Sequence, residues 1–82
     1  MYLHIGKNCV IKEDSLIGIF NLETIKETLE YKNLYNDLEQ NKNVIDISCN
    51  QKNSFIVVED KSKLKGYVSN INTSTIRKRT IG

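Results

Sequence analysis

The sequence predicts a small α+β domain: about six short, mostly antiparallel strands, one main helix and a short helix near the C-terminus. Short apolar runs bounded by Gly, Asn, Asp and Ser recur along the chain, the pattern of strands joined by turns. Only the stretch between Asn21 and Asn43 carries apolar residues at helical spacing. There is no proline, so no strand is demoted on that ground.

Tyr2–Ile5 reads as the first strand, ended by the turn chemistry of Gly6-Lys7-Asn8. Cys9–Lys12 follows through a tight hairpin, and Glu13–Ser15 breaks the chain again. Leu16–Phe20 is apolar on both alternating faces, the pattern of a central strand covered on two sides. Gly18 within it has no side chain to pack and marks a bulge or a close backbone approach.

The helix has two candidate starts. Thr24-x-x-Glu27 is a capping box that would begin it at Ile25. Tyr31, Leu34, Tyr35 and Leu38, however, form one clean amphipathic stripe. The regular helix is therefore expected over about Thr28–Gln40, with Asn21–Glu27 as a connection or irregular first turn. Asn41-Lys42-Asn43 ends it, asparagine tolerating the left-handed conformation that helix ends need. Val44–Ile47 is the next strand, followed by a loop over Cys49–Asn53. Ser54–Glu59, apolar on both faces from Phe55 to Val58, pairs through the turn Asp60–Ser62 with Lys63–Ser69. A short helix starts near Thr73–Thr75.

The 82 residues form a single domain, 1–82, whose core is modest. A chain of this size buries roughly 60–65% of the surface it exposes when unfolded, so self-association is the remaining route to greater burial. Two cysteines make no disulfide framework; Cys9 should be buried and inert, Cys49 accessible in its loop. No secretory leader and no long apolar run are evident, which suits a soluble cytoplasmic protein outside the membrane. Catalysis is not indicated. His4, the single histidine, has no triad partner at a recognisable spacing and reads as a packed or hydrogen-bonded strand residue. No metal-ligand spacing, no glycine-rich phosphate loop, no cofactor and no small-molecule substrate are signalled.

Charge is what stands out. Residues 61–82 hold six basic groups and no acidic one, whereas residues 1–60 set six lysines against all ten carboxylates. A split of about −4 against +6 points to a cationic surface meant for a polyanion. Arg77-Lys78-Arg79 is its sharpest part, and Ser69, Thr73, Ser74 and Thr75 just before it are donors suited to phosphate oxygens. If Thr75–Arg79 is helical, Thr73 or Ser74 can cap it, and a helix N-terminus attracts anions. Lys61, Lys63 and Lys65 alternate and should project from one face, widening the patch. Ile71 and Ile76 would tether the segment. Tyr31 and Tyr35 could stack on bases, but their companions Leu34 and Leu38 favour core packing. Glu23, Glu27, Glu30, Asp37 and Glu39 give the helix an acidic face unsuited to DNA.

Four stretches resemble a known family: M-Y-L-H-I-G at the start, S-L-I-G-I-F-N-L at 15–22, N-S-F-I-V-V at 53–58, and Y-V-S-N-I-N-T-S-T-I-R-K-R at 67–79. The chain resembles the RemB (YaaB) family, small bacterial proteins grouped with RemA-type regulators of extracellular-matrix (biofilm) genes. Only 24–43 matches by pattern rather than by residue. The resemblance implies a transcriptional regulator acting on double-stranded DNA, with relatives that are oligomeric DNA-binding proteins. The family tail reads Y-x-S-P-[IL]-S-S-S-T-L-K-K-R; here Asn70 replaces the proline, removing a rigid turn, and Asn72 and Thr73 replace serines. The leading expectation is a DNA-binding homo-oligomer that holds the phosphate backbone through Lys61, Lys63, Lys65 and the tail. The alternative is a homo-oligomeric interaction or scaffold module without direct DNA binding.

Overall fold

A computed structural model describes the backbone of residues 1–81 and the side chains as far as Arg79. Of the basic segment 61–82, Gly82 lies outside the described residues. Among the described residues six strands fall into two sheets. Strand β1 (Tyr2–Gly6) and β2 (Cys9–Lys12) form an antiparallel hairpin with Leu3 opposite Ile11. The other sheet has the order β3 (Leu16–Asn21), β5 (Ser54–Asp60), β6 (Lys63–Ser69), β4 (Val44–Asp46); only β4 runs parallel to its neighbour. Helices α1 (Leu22–Ile25) and α2 (Leu29–Gln40) connect β3 to β4, and α3 (Thr73–Ile81) follows β6.

Strand β5 organises the molecule. Phe55, Ile56, Val57 and Val58 are each at most 3% exposed, and alternation sends them into two cores. Phe55 and Val57 face the α2 side with Leu22, Leu38 and Val68. Ile56 and Val58 face the other side with Leu3, Ile5, Ile11, Ile19, Ile47 and Ile76, so the β1–β2 hairpin and α3 cover the second face. Tyr31 meets Phe55 edge-on, ring centroids 5.2 Å apart, and Tyr35 packs beside them. These tyrosines are partly buried and pack against the core, as their spacing with Leu34 and Leu38 indicates.

Strand β3 departs from expectation. It is an edge strand bonded only to β5, with Ile17 59% and Phe20 39% exposed. A run apolar on both faces reports surface that wants covering, and at β3 a single neighbouring strand does not supply it. The bulge at Gly18 is real: the register slips between Leu16 and Gly18, and a Cβ there would lie 2.8 Å from the Phe20 ring.

The helix begins where the amphipathic stripe does. Thr28 caps α2, its Oγ1 accepting from Tyr31 N at 3.2 Å. Thr24 caps nothing. It lies inside the short α1, whose cap is Asn21, accepting from Glu23 N at 2.9 Å. At the far end the left-handed residue is Lys42 (φ 59°) rather than an asparagine. Among the described residues no helix is long and apolar enough to cross a membrane.

Gly66 is the tightest point of the sheet. A Cβ there would stand 2.6 Å from Phe55 Cζ and 3.1 Å from Leu38 Cδ1. Gly66→Ala should therefore destabilise by about 1–3 kcal/mol, the usual cost of overpacking, read as a lower urea midpoint. A neutral result would mean that Phe55 has a second rotamer available.

Candidate nucleic-acid interface

The tail is anchored before it becomes basic. Ser69, fully buried, donates its hydroxyl to Ile5 O and accepts from Ile71 N at 3.0 Å. Ser54 Oγ donates to Ile71 O, Asn53 N to Ser69 O at 2.9 Å, and Asn53 Nδ2 to Asn70 O at 2.7 Å. Hydrogen bonds from the start of β5 thus fix the turn at Asn70 that a proline would otherwise stiffen. Ser69 is consequently no ligand contact: its one hydroxyl is engaged inside the protein.

Helix α3 starts at Thr73, with Ile76 N donating to Asn72 O at 3.1 Å. Asn72 therefore sits at the cap position, and Thr73 and Ser74, expected as caps, are first-turn residues. Ser74 is exposed, while Thr73 and Thr75 are half-buried. Ile76 is 0% exposed and Ile71 packs against the same core, so both tethers exist.

The two arginines are engaged as well as exposed. Arg77 Nη2 donates to Ile19 O on β3 at 3.1 Å. Because Leu22 N bonds Asn53 O at 3.0 Å, the alternation of bonded pairs turns the backbone of Ile19 away from β5, so Arg77 covers an outward carbonyl of the edge strand. Arg79 Nη1 donates to His4 O at 2.9 Å and lies 3.3 Å from His4 Nδ1, while His4 Nε2 lies 2.8 Å from Lys7 O. One tautomer satisfies both ring contacts: the proton on Nε2 goes to Lys7 O, and Nδ1 accepts from Arg79. The side chains two residues apart reach opposite sides of α3, one to each sheet. Lys78, between them, is exposed and makes no ion pair or hydrogen bond among the described residues.

The lysine hairpin is narrower than its spacing suggests. Lys61 (φ 53°) and Ser62 (φ 66°) form a two-residue turn with both central residues left-handed, the geometry that matches strand twist. Lys61 is therefore at the tip and outside the alternation. Lys63 and Lys65 do share a face of β6 with Tyr67, and Lys65 Nζ lies 3.8 Å from Asp60. This pair sits at the opposite end of β6 from the residues that launch α3. The bridge between the two basic regions is the N-terminal hairpin: Arg79 is tied to β1, and Lys12 lines one cleft together with Lys61 and Lys65. Neither His4 nor Lys12 was legible as part of a basic surface, since both lie in the half of the chain with the acidic excess. Burial, then neighbouring Cys9 and Asp60, push the Tyr67 hydroxyl up, so it remains a neutral donor. Cys9 is half-buried rather than buried, its thiol also pushed up by burial, and Cys49 is exposed; both are free. No three His, Cys, Asp or Glu side chains among the described residues gather as a metal site requires.

A family model described as extracellular matrix regulatory protein A-like matches residues 2–80. The chain belongs to the RemA-like family. For a RemA-like protein the match takes in every strand, α1, α2 and most of α3, including Arg77, Lys78 and Arg79. The family is a regulatory one, concerned with the extracellular matrix. No curated protein matches this RemA-like chain.

Proposed function

We propose that this RemA-like chain is of the RemB type: a cytoplasmic, homo-oligomeric regulator of matrix (biofilm) genes that binds double-stranded DNA. The phosphate backbone would be held by Arg77, Lys78 and Arg79, with Ser74 and the half-buried Thr73 and Thr75 on the first turn of α3 and Lys61, Lys63 and Lys65 on the hairpin. The observation that carries this reading is the make-up of α3: its described side chains are cationic or hydroxylic apart from the buried Ile76, and none is acidic. A guanidinium has five N–H donors, so the bonds from Arg79 to His4 orient the group without exhausting it. Oriented donors lose less freedom when they meet phosphate.

An exposed apolar strand edge supports the homo-oligomeric part of this reading. Phe20 at the β3 edge is exposed in a groove formed with Ile25, Tyr31 and Leu34, Ile17 is exposed on the same strand, and a second copy of the chain would cover this apolar edge. A few phosphate contacts from one copy would bind weakly, at roughly the 10⁻⁴–10⁻⁶ M typical of non-specific binding; linked copies multiply avidity. The apolar β3 edge alone also favours a second reading, a scaffold module that assembles without DNA.

Titrating labelled promoter and random duplexes separates the two, with sedimentation run in parallel. Binding to both duplexes by a species several times 9.5 kDa is expected. An assembly that ignores DNA at low salt would leave the scaffold reading. A 9.5 kDa monomer that binds DNA tightly would overturn the assembly part.

A further inference from the structure

The β1–β2 and β5–β6 hairpins line an open surface cleft that the DNA reading does not explain. It has a volume of about 390 Å³, within the roughly 300–1,000 Å³ of small-ligand sites. Lys12 enters it from the end of β2, Lys61 from the turn, and Lys65 from β6. Against these three ammonium groups stands one carboxylate, Asp60, already 3.8 Å from Lys65. Lys12 and Lys61 make no ion pair among the described residues, and Glu13 and Asp14 of the adjoining 3-10 turn do not line the cleft. Cations converging in a concavity raise a positive potential that an anion of two or more charges relieves best. Tyrosine rings share the space. Tyr2, opposite Lys12 on the β1–β2 hairpin, is 66% exposed, and half-buried Tyr67 lies on the same face of β6 as Lys65, whose strand partner is the buried Val58. Each hairpin therefore brings a tyrosine and a lysine to the same cleft.

We propose that this cleft binds a small polyanion carrying an aromatic ring, the chemistry of a nucleoside diphosphate: phosphates on the lysines, ring against Tyr2 and Tyr67. Stacking of this kind tolerates different bases, so the proposal fixes the ligand class rather than the base. The cleft needs no glycine-rich loop, because its charges come from side chains far apart in sequence; that is why no phosphate-binding motif announces it. Lys61 and Lys65 also belong to the proposed DNA surface, but the site stands on its own geometry and its test contains no DNA.

Magnesium-free ADP, adenosine and pyrophosphate are titrated separately into the full chain by calorimetry and by amide NMR. ADP is expected to saturate one site per chain, shifting the amides of Lys12, Lys61, Lys65 and Tyr67. Adenosine and pyrophosphate should each bind at least about ten-fold more weakly, the loss expected when one half of a stacking-plus-charge contact is removed. Tyr2→Ala and Lys12→Gln, both at exposed side chains, should each weaken ADP by about ten-fold, with Lys78→Gln without effect. No saturable ADP binding, shifts confined to α3, or pyrophosphate binding as tightly as ADP would overturn the proposal.

Discussion

Replacing Arg77, Lys78 and Arg79 together with glutamine is expected to weaken promoter and random duplexes alike and to flatten the salt dependence of binding. Each phosphate left without its cation removes about 0.9 from the slope of log affinity against log salt, so the slope should fall by about 2–3. The geometry adds a second effect. Arg77 and Arg79 also bond the carbonyls of Ile19 and His4, so the triple variant loosens α3 as well as discharging it. Lys78→Gln separates the two: it should reduce the slope by about 0.9 and leave the melting temperature unchanged. A folded triple variant with undiminished DNA affinity would remove the electrostatic reading and leave the scaffold alternative.

Ile76→Ala is expected to be the most destabilising change in the tail. Its side chain is 0% exposed in the core beneath α3, and truncation of such a residue costs about 2–5 kcal/mol. Domains of this size have a total stability of roughly 5–15 kcal/mol or less, so the loss is a large fraction. Urea melts should show a lower midpoint, with a smaller slope if α3 detaches in the native state. DNA affinity should fall too, although every basic residue remains. A loss under about 1 kcal/mol with DNA binding intact would mean that α3 is held by its arginines and not by Ile76.

The sequence carried the parts of this molecule that depend on local pattern. Tyr31, Leu34, Tyr35 and Leu38 at helical spacing place α2 almost to the residue, and the doubly apolar run Phe55–Val58 is the doubly covered strand β5. The same pattern misled at β3, because alternation reports which faces are apolar and not how many neighbours arrive to cover them. Capping was misleading for a related reason: Thr24 has the capping-box spacing, yet Asn21 and Thr28 cap the two helices that set Leu22 and Leu38 in the cluster with Phe55.

The candidate site was legible in composition but not in geometry. The cationic tail is plain from residues 61–82, and so is the tether at Ile76. That Ser69 is a buried joint depends on Ile5, 64 positions away, and that Arg79 rests on His4 depends on a residue 75 positions away. Neither leaves a trace in local sequence. Lys12 was hidden by its acidic neighbours Glu13 and Asp14, which turn off the cleft that Lys12 lines.

Mapping duplex DNA onto the isotope-labelled chain by amide NMR tests most directly whether the cationic side of the molecule holds DNA. Perturbations should concentrate on Ser74, Lys78 and Arg79 of α3 and on Lys63 and Lys65 of β6, weakening together as salt rises. Glu30 and Glu39, acidic residues on either side of α2, should stay unmoved. Shifts centred on α2, or none along α3 at saturating DNA, would contradict the account.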